Sequence, residues 1–195
     1  MTQIQRPERD ELLGNFQSRP ECAWALEDAP IRRVLDRVLV DAILDPRVGF
    51  VPVSALLVSL AGAGTARGLL SAVPRVTVFD PSGFAFCQMP AVDRADSGIT
   101  WAQGPSLADF AGTLFDVVVV DHVGMVLFPE EVATMVKYVR AILSPGGVLI
   151  LVNAHRPLPG WHFGARVLHE AFSEHLGQPA HELDLGGHLL GVWRP

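Results

Sequence analysis

Five runs of apolar residues, each of strand length, alternate along this chain with segments of helical pattern. The runs cover residues 54–60, 76–80, 99–103, 115–121 and 148–153. Runs that are apolar throughout are typical of parallel strands buried on both faces, and the fourth run, FDVVVVD, is the richest in β-branched residues. This alternation predicts an α/β three-layer sandwich, in which helices cover both faces of a mostly parallel sheet.

The remaining segments complete a single domain over residues 1–195. Apolar steps of three and four residues predict a helical region over 9–44, divided at Pro20 and Pro30, helices over 129–143 and 161–176, and shorter helices over 68–73 and 106–111. Residues 61–67 and 144–147 read as turns. Near the C-terminus, 180–185 and 188–193 predict strands six and seven, joined at Gly186-Gly187 as an antiparallel hairpin. We expect residues 51–195 to form a Rossmann-like core and residues 1–50 an N-terminal helical lid, with a packed helical layer as the alternative.

Composition limits the classes of partner. Fifteen basic and twenty-one acidic residues give a net charge of −6, which offers no attraction to a phosphate backbone. The apolar runs are too short for a membrane helix, which needs about 20 residues, and the charged N-terminus does not resemble a signal peptide. Two cysteines, Cys22 and Cys87, form no disulfide framework. We expect a cytoplasmic protein that acts on a small molecule and binds neither nucleic acid nor membrane; a homodimer is left open.

A glycine turn and an acid indicate a nucleoside site. Gly62-Ala63-Gly64 follows the first strand, where glycines let a ligand approach the backbone and the next helix offers free amide groups. Asp80 ends the second strand sixteen residues after Gly64, where a carboxylate can accept both hydroxyls of a ribose. The alternative is that Asp80 caps a helix. Arg67 occupies the third glycine position of the dinucleotide fingerprint, which disfavours NAD(P).

Five stretches, taken in order, resemble class I S-adenosylmethionine (SAM)-dependent methyltransferases. They are LLVSLAGAGTARGLL, VTVFDPS, FDVVVVDH, LSPGGVLILV and the terminal HLLGVW, and the resemblance covers Ser54 to Trp193. It implies SAM as the cofactor and a set of contacts residue by residue. The methionine part of SAM would lie over Gly62, Ala63 and Gly64. Asp80 would hold the ribose, Pro81 would touch the adenine, and the adenine edge would be bordered by Gln103, Gly104 and Pro105. The transferred methyl group would face Asp121 and His122.

Three positions depart from the family pattern. The acid that usually stands two residues before the first glycine is Leu60, the last glycine of that motif is Ala66, and the acid that usually follows the third-strand glycine is Pro105. The loss of two polar anchors weakens the expectation of tight SAM binding, because each hydrogen bond to a charged group is worth about 1.5–3 kcal/mol.

The candidate catalytic residues follow the fourth and fifth strands. His122 is a candidate general base because its ordinary pKa lies near neutrality, with a structural role as the alternative. Asp121 precedes it, and His155 follows the fifth strand. The stretch is also similar to catechol O-methyltransferase, whose magnesium ligands match Asp121 and Asn153. The partner acid of that site is Val152 here, so we expect no metal. The other histidines near the C-terminus read as scattered.

The sequence therefore predicts a SAM-dependent methyltransferase, a transferase of small-molecule biosynthesis. Two alternatives stay open on the same scaffold, and the altered anchors motivate both. One is a catalyst that does not transfer methyl groups, such as a biosynthetic cyclase, and the other is a non-catalytic partner subunit.

Overall fold

A computed structural model describes most of the chain. The described residues are 30–45, 49–59, 63–80, 98–103, 106–123, 127, 129–156 and 164–195. The helical pattern predicted before residue 30 lies outside them. No helix within these ranges is long and apolar enough to cross a membrane.

The described elements are four α-helices, one short 3₁₀-helix and seven strands. In chain order they are α1 (Pro30–Ile43), β1 (Ala55–Ser59), α2 (Ala63–Leu70), β2 (Val76–Asp80), β3 (Ile99–Gln103), the 3₁₀-helix (Leu107–Phe110), β4 (Phe115–Asp121), α3 (Pro129–Ile142), β5 (Leu143–Ala154), α4 (Ala165–Leu176), β6 (His181–Asp184) and β7 (His188–Trp193).

The strands form one mixed sheet in the order β3-β2-β1-β4-β5-β7-β6. Strands β1 to β5 pair in parallel, and β7 runs antiparallel to both β5 and β6. The fold predicted from sequence is confirmed, including the reversed terminal strand. Because the strand order reverses between β1 and β4, the switch point at which such sheets bind ligands lies at the carboxyl ends of these two strands.

The sheet has an apolar core on each face. On one face, α1 and α2 pack on buried side chains such as Leu57 and Val119, and α1 contributes Leu35, Leu39 and Ile43, each at most 1% exposed. On the other face lie α3, α4 and the 3₁₀-helix. The described part of the N-terminal segment thus belongs to the core layer, while its predicted role as a lid stays a prediction.

Strand register aligns several of the predicted site residues in one row. Asp80 pairs with Gln103, Ser59 with Asp121, and Asp121 with Val152, while the β1–β2 register sets Ser59 beside Asp80. Side chains of a strand alternate between faces, so Asp80, Ser59, Asp121 and Val152 point to the same face of the sheet. Val152 belongs to the core beneath α1 and α2, which assigns the row to that face.

Both turns predicted from the sequence, 61–67 and 144–147, differ in the structure. The turn predicted over 61–67 is helical from Ala63 onward, because Thr65 and Ala66 face the core and favour the helix. Strand β5 begins at Leu143 instead of Val148. Leu143 pairs with Phe115, and the predicted turn 144–147 becomes an irregularity within β5 before pairing resumes at Val148.

Candidate functional site

Asp121, the last residue of β4, is held by four hydrogen bonds. Its carboxylate, 2% exposed, accepts from Arg32 Nη1 (3.2 Å) and Nη2 (2.9 Å), from Ser59 Oγ (3.2 Å) and from His122 Nδ1 (2.6 Å). A carboxylate offers about four lone-pair sites, so these bonds use all of them. Any ligand of Asp121 would therefore have to displace one of these donors.

The surroundings of Asp121 keep it ionised. Burial by itself raises the pKa of this carboxyl, but the charge of Arg32 and the hydrogen bonds from Arg32 and His122 outweigh burial and hold the pKa well below its ordinary value. An ionised carboxylate can only accept hydrogen bonds, so the proton in the contact with His122 belongs to Nδ1 of the imidazole. When that ring is neutral, Nε2 carries the free lone pair.

His122 is placed by an unusual backbone. Its φ of 58° lies in the left-handed region, which costs a residue other than glycine about 1–3 kcal/mol and is characteristic of functional sites. The backbone N–H of His122 donates to Val152 O at 2.7 Å, and the residue is 6% exposed. Nε2 is buried and has no hydrogen-bond partner among the described residues. A buried acceptor without a partner is a place where a ligand proton can bind.

His188 completes the site and was missed by sequence reasoning. Its ring stands edge-on to that of His122, with centroids 5.1 Å apart. Burial is the main cause that lowers the pKa of His188 to about 4, so this imidazole is neutral near pH 7. Because β7 is reversed, its first residue lies at the carboxyl end of β5, opposite Ala154. That reversal is the signal that could have identified His188.

Arg32 was also missed, although the sequence carries a signal for it. The residue stands three positions before Leu35 and seven before Leu39, on the apolar stripe of α1. A charge on such a stripe must be paired when it is buried. Arg32 is 5% exposed, and its Nε donates to Asp36 (3.1 Å) while both Nη atoms donate to Asp121.

The cofactor residues that the structure describes fit a nucleoside in part. A Cβ at Gly64, in the first turn of α2, would meet no atom of the described residues within 4 Å, so these residues leave space for a ligand beside this glycine. Asp80 ends β2 in the row with Ser59 and Asp121, as a ribose contact requires, but its side chain is 0% exposed. A ribose would have to displace a neighbouring group of Asp80 to reach the carboxylate.

The other predicted residues are only partly brought to this site. His155 Nε2 lies 3.1 Å from Asp184 Oδ2 on the β6–β7 hairpin, and its backbone N–H donates to Gly187 O at 2.8 Å. The predicted cofactor contacts of Gly62, Pro81, Gly104 and Pro105 fall outside the described residues, as do the side chains of Ala63 and Gln103 and the altered anchor Leu60.

The structure separates the two residues that resemble magnesium ligands. Asp121 pairs in register with Val152, and Asn153 is the next residue along β5, so alternation turns Asn153 to the opposite face of the sheet. Within the described ranges, no three His, Cys, Asp or Glu side chains come together in a group that could hold a metal ion.

This strand order, with its reversed seventh strand and polar switch point, defines the class I methyltransferase fold. Solved structures of methyltransferases match this fold over nearly the whole chain. N-methyltransferase NodS from Bradyrhizobium japonicum WM9, in complex with S-adenosylhomocysteine (SAH), is 22% identical with a TM-score of 0.76, and the match covers 96% of this chain and 98% of NodS.

Two further structures have the same fold. A Burkholderia thailandensis 1,6-didemethyltoxoflavin-N1-methyltransferase, with bound 1,6-didemethyltoxoflavin and SAH, is 17% identical (TM-score 0.66, covering 95% of this chain and 86% of that one). Human N-acetylserotonin methyltransferase in complex with SAM is 14% identical (TM-score 0.66, covering 100% and 60%). No protein-family model and no curated protein sequence matches this chain. At these identities the likeness establishes the fold, and function must be argued from the site.

Proposed function

We propose that this chain is a SAM-dependent methyltransferase that acts on a small molecule. The observation that carries the proposal is His122 Nε2, a buried nitrogen without a described partner at the switch point of the sheet. The likeness to NodS, a structure with bound SAH, over nearly the full length of both chains supports it.

The residues that would hold SAM lie at the carboxyl ends of β1 and β2. Asp80 would accept hydrogen bonds from the ribose hydroxyls once its covering neighbour is displaced, and the turn Gly62-Ala63-Gly64 with the N-terminus of α2 would receive the methionine part. SAM, when bound, supplies an electrophilic methyl group. The open space at Gly64 supports this assignment.

His122 acts as the general base for the small molecule. Its Nε2 accepts the proton that the attacking oxygen or nitrogen loses, and Asp121 holds the opposite nitrogen in the Nδ1–H form. The neutral ring of His188 adds no positive charge that would repel this proton. The bound 1,6-didemethyltoxoflavin of the Burkholderia enzyme supports a small-molecule substrate. A cytoplasmic location, a role for His155 and a homodimer stay predictions.

Calorimetric titration with SAM and SAH tests the proposal, with Asp80→Asn as the critical variant. We expect saturable binding by the wild-type protein and at least tenfold weaker binding by Asp80→Asn, because charge-assisted hydrogen bonds are worth about 1.5–3 kcal/mol. Asp109→Asn, an exposed acid in the 3₁₀-helix, should bind as the wild type does. Thermal unfolding verifies that each variant is folded. No heat at millimolar SAH, or equal affinity in folded Asp80→Asn, would contradict the proposal.

Two observations favour the alternative of a methyltransferase-fold protein that transfers no methyl group. The Arg32–Asp121 pair fills part of the switch point with protein side chains. The apolar side chains of Val34 on α1 (47%) and of Leu44 directly after α1 (54%) are exposed, as a partner subunit could require. Such a protein would show no SAM or SAH binding in the same titration.

A further inference from the structure

We propose that Arg32 is a positioning residue, which orients the His122 base by fixing the carboxylate of Asp121 between α1 and β4. The inference rests on the proposed function for the role of His122 as base, while the contacts themselves stand on the geometry. The Arg32 guanidinium meets both oxygens of Asp121, through Nη1 to Oδ1 (3.2 Å) and Nη2 to Oδ2 (2.9 Å). This two-point contact restricts rotation of the carboxylate.

The fixed carboxylate determines which His122 nitrogen carries the proton. Oδ1, which receives one Arg32 bond, also lies 2.6 Å from His122 Nδ1, and Oδ2 is held from the other side by Ser59 Oγ at 3.2 Å. With both oxygens restrained, the imidazole is kept as the Nδ1–H tautomer and Nε2 is left as the acceptor. Orientation of a catalytic histidine by a buried carboxylate is an established catalytic arrangement, and here the orienting carboxylate is itself fixed by an arginine.

The Arg32 side chain is in turn fixed by a contact within its own helix. Its Nε donates to Asp36 Oδ1 at 3.1 Å, one turn later on α1, and the residues between and beyond, Leu35 and Leu39, are fully buried. Packing of α1 on the sheet thus sets the position of the guanidinium, and the N-terminal helix becomes part of the catalytic geometry.

Nitrogen NMR of the full chain with ¹⁵N-labelled histidine tests the inference at pH 8. The His122 signals are assigned by their loss in His122→Gln. We expect wild-type His122 to be the Nδ1–H tautomer and Arg32→Gln to show a new Nε2–H signal. Arg32→Lys keeps the positive charge but loses the two-point contact with the carboxylate, so its fraction of Nε2–H tautomer should lie between those of the wild type and Arg32→Gln. Arg33→Gln, the exposed neighbour on the same helix, should keep the wild-type signals.

Two results would overturn the inference. One is an Nε2–H tautomer of His122 in the wild-type protein, which needs no variant to fold. The other is a pure Nδ1–H tautomer in folded Arg32→Gln or Arg32→Lys. If the wild type binds no SAM or SAH, the proposed function is wrong, but the tautomer measurement still tests whether Arg32 orients His122. With a substrate in hand, Arg32→Gln should lower kcat by about 100-fold, the cost of a misplaced group, with a smaller change in KM.

Discussion

At the scale of single residues, the site depends on one hydrogen-bonded chain of side chains. Arg32 and Ser59 hold Asp121, Asp121 holds Nδ1 of His122, and Nε2 of His122 is the end of the chain. The left-handed φ of His122 places the ring at this end, and the strain is balanced by the backbone bond to Val152 O and the bond to Asp121. A chain of this kind has one reactive end, so a substitution there should affect chemistry more than binding.

Replacement of His122 by glutamine is therefore expected to lower kcat and to leave the affinity for the cofactor nearly unchanged. A general base accelerates a reaction by about 10²–10⁴-fold, so we expect kcat to decrease by a factor in that range, while the Kd for SAH changes less than threefold. The assay uses methyl-labelled SAM with a panel of small oxygen and nitrogen nucleophiles. His175→Gln, at an exposed site on α4, serves as the matched control. Equal turnover by His122→Gln and His175→Gln would exclude His122 as the base.

At the scale of elements, the strands were predicted well and the site only in part. Strands β2, β3 and β4 match their predicted bounds because their apolar, β-branched runs end in polar residues such as Asp80 and Asp121. Pattern could not reveal His188, because its place at the site depends on sheet order, which brings β7 back beside β5. Arg32 had a signal on the stripe of α1, but its partner lies 89 residues away, and a helical pattern does not identify a partner at that distance.

Helix α2 offers a matched pair of glycines that separates stability from ligand binding. Among the described residues, the new Cβ of Gly64→Ala would meet no atom within 4 Å, and that of Gly68→Ala would meet Asp36 at an ordinary 3.5 Å. Each change should stabilise the helix by up to about 1 kcal/mol, measured by denaturant unfolding. Only Gly64→Ala should weaken SAH binding, since its Cβ enters the space assigned to the methionine part. Equal SAH affinity in the two variants would remove Gly64 from the proposed cofactor site.

At the scale of the whole molecule, helix α1, the central strands β1 and β4 and the terminal hairpin meet at one polar edge of the sheet. Arg32 comes from α1, Ser59 and Asp121 from β1 and β4, and His188 from β7, so most of the fold must form before the site exists. Partly buried titratable groups at such an edge link protonation to folding. A group whose pKa is lowered on folding binds fewer protons in the folded than in the unfolded state, and acid therefore favours unfolding.

Each of these groups contributes to the pH dependence of stability in its own pH range. For His188 the folded pKa is about 4 and the ordinary value 6.5, so its contribution to stability is complete above pH 6.5 and is lost as the pH falls to 4. His169, whose pKa burial also lowers, acts in the same direction. Asp121 contributes above its ordinary pKa of 3.8, and that contribution is lost only in stronger acid. Asp36, whose pKa burial raises, opposes the loss near the lower end of the range.

We therefore expect the free energy of unfolding to fall between pH 6.5 and 4, with His188 responsible for about 1–2 kcal/mol after allowance for solvent screening at this half-buried ring. Urea unfolding at half-unit pH steps measures the slope. His188→Gln should flatten it by that amount, because glutamine binds no proton in this range. Any slope that remains in His188→Gln belongs to other groups such as His169. If His188→Gln keeps the full wild-type slope, the ring of His188 is not held neutral beside His122, and the assignment of His188 to the polar edge is wrong.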